Sequence, residues 1–446
     1  MLGALAAVTM AAAAVVVPAS AADAGQPRTE LISIDSTGTP GDLSSAQGVV
    51  SGDGRFVAFI SESTMANARI GRDDNEDLDV YLRDRETDQT TLVSETSAGT
   101  YSDYRSWQPA ISMHGRFVAF VSLSTDLVSG DTNGASDVFV RDRRDGTTTR
   151  VSVSSAELQA NGASPDGGGD SAPAISAFGR FVVFASEATN LVPHDTNGAS
   201  DVFVRDRELG TTRRVDVSST GRQANAGVCL SQTSFHAVAV SDDGRYVAFC
   251  SLASNLVPGD RNGQPDVFVR DTLRGTTQRV SVSSFGGGGN AASADPQISG
   301  DGHLVAFTSD ASNLVPGDHN GMTDVFVRNL MTGRTTRVSI SSRGREASDA
   351  SEAPAISDGG RFVAFASSAS NLVGGDTNGY PDVFVRDRAL HTTTRASVST
   401  AGVQADHPSY DPEISDDGTV VSFVSSADNL NPLDEDNSLD IFARVH

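Results

Sequence analysis

The phrase Gly-Arg-Phe-Val-Ala-Phe begins at Gly54 and returns, exact or varied, at Gly115, Gly179, Gly244, Gly302, Gly360 and Gly418. The successive spacings are 61, 64, 65, 58, 58 and 58 residues. A chain copied at such a period stacks copies of one supersecondary unit. At 446 residues it also exceeds what one ordinary globular core accommodates. Each copy continues with a Ser-rich bend, an acidic loop, Asp-Val-Phe-Val-Arg-Asp or a variant, a Gly/Thr turn and Thr-Thr-Arg-Val-Ser-Val-Ser-Ser. A variable Gly/Ser/Ala segment then leads to Pro-Ala-Ile-Ser and the next copy.

Each piece reads as a short strand. Phe117, Ala119 and Val121 alternate with Val118 and Phe120, and Val138-Phe139-Val140 is a β-branched and aromatic run. Arg150 to Val153 alternates again, and Gly115 with its equivalents marks a hairpin turn between the first two strands. Four strands repeated seven times predict an all-β, seven-bladed β-propeller of antiparallel blades. The last copy stops at its third strand, Ile441 to Arg444, whereas Thr29 to Ser36 matches the fourth-strand pattern. The N-terminal strand is therefore expected to complete the last blade and close the ring, leaving no unpaired edge there.

Met1 to Val17 is uncharged and mostly Ala, Val and Leu, and Ala19-Ser20-Ala21 has the small-x-small form that signal peptidase cuts. Residues 1–21 are expected to be a signal peptide and 22–446 a single propeller domain, secreted or held in the cell envelope or periplasm. A buried N-terminal helix is the alternative. The apolar run is short and Ala-rich for a membrane span, and no other stretch reaches spanning length.

Ser241 to Phe249 (Ser-Asp-Asp-Gly-Arg-Tyr-Val-Ala-Phe) and Asp266 to Asp271 (Asp-Val-Phe-Val-Arg-Asp) resemble the WD-repeat-like motif of TolB-type propellers. The resemblance covers residues 22–446 and implies the fold more strongly than a function. The family it points to includes periplasmic interaction proteins, peptidase-associated propellers and lyases. This sequence has seven units where the TolB propeller has six, and TolB's separate N-terminal domain has no counterpart in it. A TolB role in envelope transport therefore does not carry over.

Between the second and third strands recurs Asp-x-Asn-x-x-x-Asp. The copies are Asp73, Asn75 and Asp79; Asp131, Asn133 and Asp137; Asp195, Asn197 and Asp201; Asp260, Asn262 and Asp266; Asp318, Asn320 and Asp324; Asp376, Asn378 and Asp382; and Asp434, Asp436 and Asp440. Alternate oxygen side chains in a tight loop can converge on a hard cation such as Ca²⁺. The spacing resembles the core of calcium loops in integrin-type propellers, although it is shorter and lacks their third acid. The same residues also make side-chain-to-backbone bonds that hold turns. Both readings stand at this point, since duplication copies turns and metal sites alike.

The third strands repeat an arginine, at Arg83, Arg141, Arg205, Arg270, Arg328, Arg386 and Arg444. Seven copies suit a blade-to-blade ion pair or hydrogen bond, not catalysis. No Gly-x-Ser-x-Gly, His-Glu-x-x-His or phosphate loop occurs. His114, His194, His303 and His319 are scattered replacements at repeat positions, so only His236 and His407 lie where a substrate would come. Cys229 and Cys250 are the only cysteines. A disulfide stapling the longest inter-blade loop to a second strand is expected, with two separate thiols the alternative.

Strand order places the acidic loops and the variable inter-blade loops on one rim and tight turns on the other. The variable rim carries Tyr101, Tyr104, Trp107, Asp166, Asp170, His407 and Tyr410, and is the expected binding surface. Trp107 packing between blades is an equal alternative. A net charge of −24 without a single Lys excludes nucleic-acid partners. The reading is a monomeric, non-catalytic scaffold for a protein or glycan, with Ca²⁺ in the acidic loops. The alternative is a secreted carbohydrate-active lyase or hydrolase, favoured if His236 or His407 meets a nonrepeated Arg and acid in a central pocket.

Overall fold

The computed structural model describes residues 26–63, 65, 77–165, 171–229, 236–434 and 436–446. They form seven four-stranded antiparallel sheets and no helix. Blade 1 comprises Ser45–Val50, Phe56–Ser61, Asp79–Asp84 and Gln89–Leu92, paired in sequence order. Blade 7 comprises Ser409–Ile414, Val420–Ser425 and Asp440–Val445, and Arg28–Leu31 is its fourth strand. Arg28 stands opposite Val445 and Leu31 opposite Phe442, so the N-terminal strand closes the ring as expected. The first strands of neighbouring blades face one another around the axis.

The core lies between blades, because both faces of each inner strand are apolar. Val118, Phe120 and Phe139 of blade 2 pack on Ala58, Ile60, Val80 and Leu82 of blade 1. Ala119, Val138 and Val140, on the other face of blade 2, receive Val182, Phe184 and Phe203 of blade 3. The Val-Ala-Phe alternation thus sets a large face against a small one seven times around the ring. Each buried Phe contributes about 1.5–3 kcal/mol. Gly115 opens the repeated phrase for two reasons. Its φ is 66°, and a Cβ there would sit 2.3 Å from the Phe56 ring of the preceding blade.

Polar anchors join the blades. After each fourth strand a short hairpin, such as Ile340 to Glu346, reaches the next blade's outer strand. Thr393 Oγ1 donates to Ile340 O at 2.6 Å. Arg386 donates to Thr393 Oγ1 at 3.0 Å and Ser341 O at 3.2 Å. Equivalent threonines and arginines repeat this in every blade. The recurrent third-strand arginine is therefore a blade-to-blade hydrogen bonder.

In five blades a second arginine, at the start of the second strand, pairs with the last Asp of the third. The pairs are Arg55–Asp84, Arg116–Asp142, Arg180–Asp206, Arg245–Asp271 and Arg361–Asp387, at 2.7–2.8 Å. Blades 5 and 7 lose both partners together, having His303 with Asn329 and Thr419 with Val445. Cys229 and Cys250 form a disulfide with Cα atoms 5.4 Å apart. It ties the inter-blade segment to the second strand of blade 4, Tyr246–Ser251.

Candidate functional site

In blades 2 to 6 the acids of the acidic loop converge on an arginine from the fourth strand. Arg150 lies 3.3 Å from Asp131 and 3.4 Å from Asp137. Arg214 approaches Asp195 and Asp201, and Arg279 approaches Asp260 and Asp266. Arg337 approaches Asp318 and Asp324, and Arg395 approaches Asp376 and Asp382. The middle Asn turns its amide nitrogen toward the last Asp. Asn133 Nδ2 donates to Asp137 Oδ2 at 3.0 Å and to Ala160 O, while its Oδ1 accepts from Ala135 N. Asn197, Asn262, Asn320 and Asn378 repeat the pattern. The last Asp begins the third strand, and its other oxygen accepts from a Ser hydroxyl, as with Ser152 on Asp137. Burial is the main force pushing Asp137 and Asp318 up to about 6. Sequence reasoning missed the arginine, whose signal is the Arg that ends the fourth strand in blades 2 to 6.

Blade 3 varies this scheme. Asp216 stands where the Ser would be, accepts from Val202 N at 3.1 Å and is 1% exposed. Burial first, then the Asp201 carboxylate, raise its pKa well above the usual value.

Blades 1 and 7 differ in kind. Leu92 stands opposite Tyr81 and Leu31 opposite Phe442, where blade 6 has Arg395 opposite Phe384. Of the first loop, Asp73 and Asn75 lie outside the described residues, and Asp79 accepts from Ser94. In blade 7 the carboxylate oxygens of Asp434, Asp436 and Asp440 lie within 4.8 Å of one another. Burial and the neighbouring Asp440 carboxylate push Asp434 up to about 7. Asp318, Asp324 and Glu346 of blade 5 are equally close, but with Arg337 among them.

The axial channel holds a nonrepeated cluster. His236 Nε2 lies 3.0 Å from Glu413 Oε1, and Gln47, Gln108, Ala172 and Asp411 line the same cavity of about 20 Å³. That is room for one water. Burial opposes charge on His236, yet Glu413, Asp411 and Asp295 outweigh it and raise its pKa. Burial is also the largest influence pushing Asp411 up to about 6. No arginine lines this cavity among the described residues.

On the loop rim, Tyr380 of the blade 6 acidic loop stacks on His407, with centroids 5.7 Å apart and planes 16° from parallel. Tyr380, Tyr104, Met322 and Leu439 are exposed there. Trp107 is half-buried against the cluster between blades 1 and 2, with Arg105 over its ring. Asp166 and Asp170 lie outside the described residues. The tight-turn rim exposes Leu209, Leu273, Met331 and Leu390 at matching turns of blades 3 to 6.

Fold and site together define a seven-bladed β-propeller whose acidic loops in blades 2 to 6 each carry an arginine and whose axis holds a narrow acidic channel. No protein-family model matches the chain, and no curated protein matches its sequence. Among solved structures, the oligogalacturonate lyase of Vibrio parahaemolyticus is similar at 13% identity and a TM-score of 0.52. That similarity covers 94% of this chain and 97% of the lyase. An oligogalacturonate lyase in complex with manganese is similar at 13% identity and a TM-score of 0.53, covering 94% of this chain and 96% of that one. TolB from Acinetobacter baumannii is similar at 16% identity and a TM-score of 0.40, covering 80% of this chain. The chain spans 65% of that TolB structure's length. At such identities the likeness is one of fold. No helix among the described residues is long and apolar enough to cross a membrane.

Proposed function

We propose that this protein is an exported propeller that binds a protein or glycan on its loop rim without covalent chemistry. Residues 1–21 serve as the export signal, and residues 22–446 act as a monomer in the cell envelope or outside the cell. The observation that carries the reading is the exposed Tyr380–His407 stack, which breaks the repeat on loops otherwise held rigid by arginine–acid anchors. Flat aromatic surfaces presented from a rigid frame suit sugar faces and protein hot spots. Support by a hard cation such as Ca²⁺ in the acidic loops belongs to the same proposal. Neutral oligosaccharides and isolated envelope proteins, screened against the immobilised chain, test it. A true ligand weakens about tenfold or more with Tyr380→Ala. A ligand lost with Leu273→Ala and indifferent to Tyr380→Ala would move the binding face to the tight-turn rim.

The second reading is a carbohydrate-active lyase or hydrolase, favoured by the His236–Glu413–Asp411 cluster in the channel and by the lyase fold neighbours. Against it stand the small cavity and the carboxylates of Asp295, Glu352, Asp411 and Glu413, which repel an anionic uronate. Product release from polygalacturonate or neutral glycans, abolished by His236→Ala, would establish it.

A further inference from the structure

We propose that the acidic loop of blade 7 holds one hard divalent cation, of the Ca²⁺ class, among Asp434, Asp436 and Asp440, in the role that an arginine fills in blades 2 to 6. This deepens the cation part of the reading above and rests on it.

Three observations carry the proposal. The first is register. Leu31 stands opposite Phe442, the place from which Arg395, opposite Phe384, reaches Asp376 and Asp382. The second is charge. In blade 6 two carboxylates and one guanidinium leave one net negative charge, and the middle residue is the neutral Asn378. In blade 7 the middle residue is Asp436 and the arginine is Leu31, so three negative charges remain. The difference is two charges, that of one divalent ion.

The third is an orphaned atom. Asp434 is 6% exposed, and its Oδ2 has no hydrogen-bond partner. Its Oδ1 has only the backbone N–H of Asp436, at 3.4 Å. A buried carboxylate oxygen without a partner is costly, and the sibling loops meet that cost with a guanidinium. Oxygens within 4.8 Å of one another can surround a cation that takes bonds of about 2.3–2.6 Å. Asp440 is steadied for this by Ser33 Oγ, which donates at 2.5 Å, and Ser438 Oγ, which donates at 3.2 Å. Ser33 follows the N-terminal strand and Asp440 begins the final one. An ion here therefore binds across the ring closure and tightens the joint between the two chain ends.

The test is calorimetric titration of CaCl₂ into the metal-stripped full chain, beside Asp434→Asn and Leu31→Arg, with thermal melts of each. The expected result is one site per chain, with Kd on the order of 10⁻⁴–10⁻³ M, and an upward melting shift at saturating Ca²⁺. Both variants lose the heat and the shift. Leu31→Arg, which installs the sibling blades' solution, keeps the wild-type near-UV spectrum and melts at or above wild type without Ca²⁺. Binding that survives in either folded variant overturns the blade 7 assignment. Several sites indifferent to both variants leave cations in the acidic loops but not here. No heat and no shift in the wild type remove both readings.

Discussion

Arg395 Nη1 lies 2.7 Å from Asp382 Oδ2, and the same nitrogen lies 3.5 Å from Asp376 Oδ1. All three side chains are nearly excluded from water. The arginine and acids of the blade 6 loop are thus a closed electrostatic unit that holds the start of the third strand, while Tyr380 of the same loop stays exposed. Four neighbouring blades repeat it.

Removing the arginine leaves two buried carboxylates without a countercharge. Arg395→Leu should cost about 3–5 kcal/mol in urea unfolding at neutral pH. Asp382 already has a raised pKa, chiefly from burial, and loses its guanidinium in the variant. Protonation therefore relieves the defect, so the loss should be smaller at pH 5 than at pH 8. An equal loss at both would remove the charge argument.

Asp216 offers the converse change. Its folded pKa is raised above the unfolded value, so it favours the fold at low pH and works against it as pH rises. Asp216→Ser restores the hydroxyl of the sibling blades and should raise Tm, more at pH 8 than at pH 5. A lower Tm at pH 8 would show that Asp216 is not under strain from its charge.

The tight-turn end of the channel should set the pH optimum of stability. Asp416 is pushed up to about 6 by burial, then by Asp242 and Asp358, with Asp417 and Asp53 also close. Asp242 is raised by burial and by Asp358. These groups hold protons more tightly when folded, so their contribution is full below the ordinary value of 3.8 and is lost as pH rises from there through about 6. Asp84 and Asp387 act oppositely. They are held near 2, so they stabilise above the ordinary carboxylate value and lose that contribution as pH falls through about 2. Thermal melts should therefore peak near about pH 4 and decline toward about pH 6. Asp416→Asn should flatten the decline between about pH 4 and 6.

The inter-blade anchors should matter individually. Thr393→Val keeps the shape but deletes the hydroxyl that donates to Ile340 O and accepts from Arg386. It should cost about 1–3 kcal/mol, because the carbonyl and guanidinium lose a partner in a largely buried place. Hydrogen exchange should rise locally at the hairpin around Ile340. Unchanged exchange there would mean that apolar packing alone holds the blades.

Much of this was legible one residue at a time. Gly115 with Phe117, Ala119 and Phe120 determined a hairpin and a two-faced apolar strand, because backbone sterics and period-2 alternation are local. Seven copies and a split last unit then determined the blade count and the ring closure through Arg28–Leu31. The seven-fold Arg386 position already implied a structural role. What the sequence left open was which side chains meet. Arg395 and Asp382 are 13 residues apart, on neighbouring strands, and only their pairing showed a guanidinium at the centre of the acidic loop. His236 and Glu413 lie three blades apart and meet only because the ring brings first strands around one axis. The sequence by itself determined the strands, their number and their closure, since these follow from repetition and local alternation. Tertiary structure decided that five acidic loops each hold an arginine while blade 7 keeps three carboxylates without one. Charge balance depends on distances across strands, and no spacing along the chain encodes those.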